Sequence, residues 1–217
     1  MLKIFKTIDD YLADNKIFFD KKISSKFNLL SSLVSSYQKN DYWRVFNCLI
    51  QKHLPASCAE LGVLGCYSII SMGLSAPKGC AINGYDLFED YPYNSFEYIK
   101  ANELIEAFNL EEKIFLYKKD IFKGSLYKKI IAESELIHVD LSNDGEILEK
   151  ILSEWNPLSH KAFIFEGGSS DRDHVEWMLK YNKITINPVL RKFSMENKLH
   201  IQIIEDYPSL TIVEAHA

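Results

Sequence analysis

Two phosphate-binding fingerprints are missing from this 217-residue chain. Neither GxxxxGK[ST] nor GxGxxG occurs, which removes the P-loop reading and weakens any reading built on a bound pyrophosphate. Cysteine is scarce. Cys48, Cys58, Cys66 and Cys80 form no CxxC pair, and no histidine stands at metal-ligand spacing, so a structural zinc site is not expected. Free thiols in apolar stretches suit a reducing compartment. Basic charge is not in excess: Lys plus Arg is 25 against Asp plus Glu 30, a net charge of -5. That argues against nucleic acid as the main partner. Long apolar runs are absent as well. The longest uncharged stretch, Leu61 to Pro77, carries three Gly, three Ser and a Pro and is at the short limit for a span, so no membrane partner is expected. Lys3 and Lys6 interrupt the first residues and no apolar h-region follows, which predicts a cytoplasmic protein. Repeats and low-complexity tracts are lacking too, and one domain is the default.

What is present is a normal core supply. The nine hydrophobic types make up 47% of the chain, and a chain of this size buries roughly 70% of its surface on folding. Residues 1–55 read as a helical extension. Asn40 or Asp41 is a plausible N-cap, Tyr42, Trp43, Phe46, Leu49 and Ile50 recur at helical spacing, and Pro55 marks the end. A weaker helix is predicted over 25–38. From residue 57 short apolar runs alternate with helix-length segments. The runs are SCAEL (57–61), CAINGYD (80–86), KIFLYKK (113–119), ELIHVD (135–140) and KAFIFE (161–166). Such alternation predicts βαβ units and a parallel sheet covered on both faces. LHIQIIE (199–205) and LTIVE (210–214) follow, separated by Asp206, Tyr207, Pro208 and Ser209. So short a turn predicts an antiparallel hairpin, with Pro188 breaking the chain before it. The expected sheet has about seven strands, one antiparallel to the rest.

Ligands of open α/β sheets bind beyond the carboxyl ends of the strands, near the switch point. Each of the five predicted parallel strands has an acid there: Glu60, Asp86, Asp120, Asp140 and Glu166. Five carboxylates on one rim suit a ligand rich in hydroxyls and positive charge, and repel a polyphosphate. Between the first strand and its helix, Gly62 would let the backbone approach a ligand and Gly65 would permit tight entry into the helix. Asp86, 26 residues after Glu60, is placed to accept hydrogen bonds from ribose hydroxyls. His138 and Asp140 alternate and share one face of their strand.

These residues together resemble the class I S-adenosylmethionine-dependent methyltransferases, over about residues 55–215. The likeness is to small-molecule O-methyltransferases of the macrocin O-methyltransferase type and their cephalosporin-hydroxylase-like relatives. Glu60–Val63 is similar to their E-[IL]-G-V turn, Tyr85–Glu89 to a Y-D-x-F-E loop and His138–Asp140 to an H-[IV]-D strand end. The resemblance implies a Rossmann-like domain over 56–217 behind the 1–55 extension, with that extension as a candidate lid over the acceptor. It implies S-adenosylmethionine as cofactor, with Glu60 and Gly62 lining its methionine part and Gly65 in the same cofactor-binding turn. Asp86 would hold the ribose, Asp120 and Ile121 would flank the adenine, and Asp140 would sit beside the reacting methyl group.

The chain departs from the family at two places. Cys66 and Tyr67 stand where a further glycine is usual. Glu166-Gly167 stands where metal-dependent members carry Asp-Asp or Asp-Asn, so no metal is expected, although Asn143 or Asp144 could add an oxygen to Asp140 and Glu166. Asp140 is the expected catalytic residue. His138 is either a second acid–base group or a core histidine bonded to the backbone. The expected partner is a small-molecule acceptor such as a sugar or secondary metabolite, and a homodimer stays open. Two alternatives remain: another Rossmann-type nucleotide or nucleotide-sugar enzyme, and an inactive cofactor-binding subunit.

Overall fold

The computed structural model of the chain describes residues 2–19, 21–92, 94–197 and 199–214. Strand β1 (Leu2–Phe5) leads to helices α1 (Ile8–Asp14), α2 (Lys21–Lys26) and α3 (Trp43–His53). Alternation then begins: β2 (Ser57–Leu61), α4 (Tyr67–Ser75), β3 (Ala81–Asp86), α5 (Tyr98–Ala107), β4 (Ile114–Lys118), α6 (Leu126–Ala132), β5 (Leu136–Val139), α7 (Gly145–Leu152) and β6 (Ala162–Glu166). Helices α8 (Glu176–Lys180) and α9 (Ile186–Asn197) precede the hairpin of β7 (His200–Ile204) and β8 (Leu210–Glu214).

The strands form one sheet in the order β1-β7-β8-β6-β5-β2-β3-β4. Only β8 runs against its neighbours, pairing antiparallel with both β6 and β7. This is the expected α/β, Rossmann-like architecture with its terminal hairpin. The sheet has eight strands rather than about seven, and the extra one corrects the reading of 1–55 as wholly helical. Leu2–Phe5 pairs in parallel with Ile201–Ile204. Lys3 and Lys6 hide its strand character from a search for apolar runs, but both find acids, in Asp14 (2.5 Å) and Glu205.

Two further departures have local causes. The 25–38 segment forms two short 3-10 turns, Asn28–Ser32 and Ser36–Asn40, because its serines bond backbone groups within the segment, as Ser31 does to Asn28 O at 2.7 Å. Pro188 does not break the chain: it sits in the first turn of α9, where no N–H partner is needed. Tyr42, Trp43, Phe46, Leu49 and Ile50 are buried, with α3 laid on α4, so they are core.

Each face of the sheet carries its own core. Cys58, Leu136 and Ile164 point toward α3 and α4. Ala59, Ile137 and Phe163 point toward the opposite face, with Ile131, Ile151 and Leu190. Strand β2 is buried at four of its five residues, as a central parallel strand must be. Chain order reverses between β2 and β5, so the crevice the topology creates lies at their carboxyl ends.

Candidate functional site

The turn after β2 is built from residues in unusual conformations. Gly62, Leu64 and Cys66 have φ of 87°, 43° and 66°. Two groups hold them. Gly62 N donates to Tyr85 O at 2.8 Å, and the Asp86 carboxylate accepts from Val63 N (2.7 Å) and Leu64 N (2.9 Å). The other Asp86 oxygen accepts from Phe88 N at 2.6 Å and from Asn94 Nδ2 at 3.5 Å. Asp86 is therefore first an anchor of this turn.

Gly62 is required by its own chain. A Cβ there would lie 2.2 Å from the Asp140 carbonyl oxygen, a distance no carbon tolerates. The same holds more mildly for Gly65, whose Cβ would lie 2.8 Å from Val34 O. Segment 33–41, from the N-terminal extension, thus leans on the glycine turn.

Below the turn a polar group of side chains runs inward. Glu60 and His138 are neighbours across the β2–β5 register, both fully buried. Glu60 Oε1 accepts from Ser68 Oγ and faces His138 Nδ1 at 3.3 Å. Glu60 Oε2 has no hydrogen-bond partner. His138 Nε2 meets the Tyr37 hydroxyl at 3.3 Å, and Phe46 packs edge-on to the imidazole. Burial raises the Glu60 pKa, while His138 and Ser68 favour its ionised form and hold the rise back.

Asp140 stands at the mouth. Burial of its carboxyl raises its pKa well above the usual carboxylate range, and the acids Glu166 and Glu60 raise it further, while Tyr37 works the other way. Glu166 ends β6 and is clamped by Arg172, Nη2 to Oε1 at 2.6 Å. The Asn143 amide, oriented to satisfy both sides, donates to Glu166 O (2.9 Å) and accepts from Arg172 (2.7 and 3.1 Å). The hairpin turn closes this side: Tyr42 donates to Asp206 O at 2.5 Å and Asn40 to Tyr207 O at 2.8 Å.

The sequence-predicted residues divide into two groups. Glu60, Gly62, Asp86, His138 and Asp140 meet around one strand mouth. Glu60 is enclosed, so its carboxylate reaches the mouth only by its charge. Asp120 is exposed and accepts from Phe122 N at 2.9 Å, while Ile121 is a core residue. Asn143 and Asp144 are spent on internal partners, Asp144 on Lys183 at 2.7 Å. Tyr37 was not legible. It lies in the serine-rich segment 31–38, where no periodicity marks it, and only folding brings it to His138.

No family model and no curated protein matches the chain. Solved structures do. An O-methyltransferase of Bacillus cereus in complex with SAH aligns at a TM-score of 0.58 and 16% identity, over 96% of this chain and 98% of that one. The O-methyltransferase TomG of Streptomyces achromogenes, in complex with SAM, gives 0.58 and 12% over 97% and 96%. SAH-bound methyltransferase PaMTH1 of Podospora anserina gives 0.59 and 13% over 97% and 94%. At such identities the likeness is one of fold: the sheet and its helices are those of Rossmann-like methyltransferases.

Proposed function

We propose that the chain is an S-adenosylmethionine-dependent methyltransferase that methylates an oxygen, less readily a nitrogen, of a small polar acceptor such as a sugar or secondary metabolite. One observation carries the reading. Asp140 and Glu166 stand side by side at the carboxyl ends of β5 and β6, with the enclosed Glu60 beneath them on β2, beside a positive-φ turn, and Arg172 is bound to Glu166. Such a mouth favours a cation, and the strength of the preference grows as water is excluded.

The residues fit the cofactor with one restriction. A carboxylate offers about four acceptor sites, and Asp86 spends three on short bonds to Val63, Leu64 and Phe88. The fourth holds only the 3.5 Å contact to Asn94, so one ribose hydroxyl can be accepted there by displacing the Asn94 amide. Asp120 and the Glu60–Gly65 turn are the remaining cofactor candidates, as is Asp140. When bound, S-adenosylmethionine supplies an electrophilic methyl group on a cationic sulfonium.

The chain's own task is to orient the acceptor and take its proton. Asp140 does both at the mouth, with its high pKa making it a stronger base than an ordinary aspartate when ionised. Segment 33–41 of the 1–55 extension covers the same mouth and lies where the acceptor would enter. Asp140→Asn is expected to lower turnover about 10²–10⁴-fold, the usual loss for a positioned acid–base group. The test supplies S-adenosylmethionine with a panel of hydroxylated acceptors and follows methyl transfer. Equal rates in wild type and Asp140→Asn would sink the assignment. Cys66-Tyr67 in the turn and Glu166-Gly167 at the end of β6, the two departures from the family pattern, favour one second reading, an inactive cofactor-binding subunit. Binding without turnover on any acceptor would select it.

A further inference from the structure

Two of the four thiols touch. Cys58 Sγ and Cys80 Sγ stand 3.9 Å apart, at the amino edge of the sheet, opposite the mouth. Cys58 lies in β2 and pairs with Ile82 of β3. Cys80 immediately precedes β3, so it stands diagonally across from Cys58 and shares a face with Ile82. Cys58 is fully buried and Cys80 is 3% exposed. The cover over Cys80 is thin. Lys78 and Gly79, in the turn before it, are exposed, and nothing lies within 4 Å of where a Gly79 Cβ would be.

We propose that Cys58 and Cys80 form an oxidation site, at which a peroxide converts the two thiols to a disulfide that staples the amino ends of β2 and β3. The inference does not depend on the methyl-transfer reading, which concerns the opposite edge of the sheet.

The surroundings assign the roles. The Cys58 S–H donates to the Cys80 sulfur and lowers the Cys80 pKa; Lys113 and Lys161 favour the same thiolate, while burial and Glu135 oppose it. Lys113 is fixed beside the turn by bonds to Gly73 O (3.2 Å) and Ala76 O (2.9 Å), and Lys161 is paired with Glu135 at 2.9 Å. Cys80 is thus the attacking sulfur and Cys58 the resolving one. The Cys80 thiolate attacks one peroxide oxygen. An S–O bond forms and the O–O bond breaks. The departing hydroxide takes up the proton that Cys80 had released, leaving water and a sulfenic acid. The Cys58 sulfur then attacks the Cys80 sulfur. The S–S bond forms, the S–O bond breaks, and hydroxide leaves with the Cys58 proton as a second water. Two electrons pass from the sulfur pair to the peroxide. Burial of both sulfurs admits so small an oxidant and keeps out a bulky disulfide.

A diagonal pair has its Cα atoms near the limit that a disulfide spans, so the chain at Cys80 must draw in. It can, because Cys80 lies outside the strand and its N–H makes only a long bond, 3.3 Å, to Pro77 O. The other thiols are worse placed. Cys48 Sγ faces the Tyr11 hydroxyl at 4.0 Å, with burial pushing its pKa up to about 11. Burial raises the Cys66 thiol as well.

The test treats the native full chain with hydrogen peroxide, denatures it, alkylates the remaining thiols with iodoacetamide and maps the peptides by mass spectrometry. A Cys58–Cys80 link that dithiothreitol reverses, with Cys48 and Cys66 alkylated, is the expected result. The same treatment in urea should scatter the pairings. In Cys58→Ala the reaction should stop at the Cys80 sulfenic acid, trapped as its dimedone adduct. Should that variant not fold, the native map decides alone. Four alkylated thiols, a sulfinic acid at Cys80 with no link, or a link to Cys48 or Cys66 overturns the inference, as does a folded Cys58→Ala that gives no adduct.

Discussion

At the residue scale, Gly62 does different work from the work its position suggests. A glycine after the first βα strand reads as an opening for a ligand, and part of that reading survives, since the turn it starts lies beside Asp140. Its lack of a side chain, however, is used against the Asp140 backbone, where a Cβ would be 2.2 Å from a carbonyl oxygen. Gly62→Ala is therefore expected to destabilise the fold by about 1–3 kcal/mol from its φ of 87° alone, with the clash adding to that. Urea unfolding measures it, and an unchanged midpoint would refute the close approach. Asp86 tells a similar story. The residue and its place were legible in the sequence. Its three short bonds to the backbone were not, because the turn's conformation depends on the φ values of Leu64 and Cys66, which side-chain type does not foretell. Tyr37 lay beyond sequence reading altogether.

At the element scale, the strands β2 to β8 were legible to within a residue at each end, because buried parallel strands are short continuous apolar runs bounded by charges. Of the N-terminal elements, α3 (Trp43–His53) was legible from the spacing of Tyr42, Trp43, Phe46, Leu49 and Ile50, whereas β1 was not, since its pairing partner β7 is far away in the chain. Helix α3 is tied down at its end by Glu214 of β8, which accepts from Lys52 Nζ at 2.7 Å, meets His53 Nε2 at 2.6 Å, and takes a bond from Gln202 at 2.8 Å on its other oxygen. Burial would raise the Glu214 pKa, but the bonds from His53 and Lys52 outweigh it and hold the carboxyl below its ordinary value. The folded pKa then lies under the unfolded value of about 4.3. The stabilisation is complete above about pH 4.3 and is lost as pH falls through the folded pKa. Glu214→Gln should thus cost stability near neutrality, about 1–3 kcal/mol for a buried charged hydrogen-bond acceptor, and should flatten the acid limb. Urea midpoints of both proteins from about pH 3 to 7 check this, and parallel acid limbs would contradict it.

At the scale of the whole molecule, the extension and the sheet are one structure. Strand β1 is the sheet's edge, Phe5, Ile8, Tyr11 and Leu30 are in its core, and Tyr37 reaches the centre of the site. A detachable lid would allow residues 1–38 to be removed with only acceptor binding impaired. The packing predicts instead that the truncated chain loses cooperative folding, because β7 is left as a bare edge and the α3 face of the core is uncovered. Near-ultraviolet circular dichroism of the truncated protein decides, and a native-like spectrum would contradict the prediction. On the proposed function, the mouth formed by β2, β5 and β6 receives a cationic adenosyl cofactor. Calorimetric titration of the full chain with S-adenosylmethionine and with NAD tests it most directly. Saturable binding of S-adenosylmethionine, and none of NAD, is the predicted result; tight NAD binding with no heat from S-adenosylmethionine would contradict it.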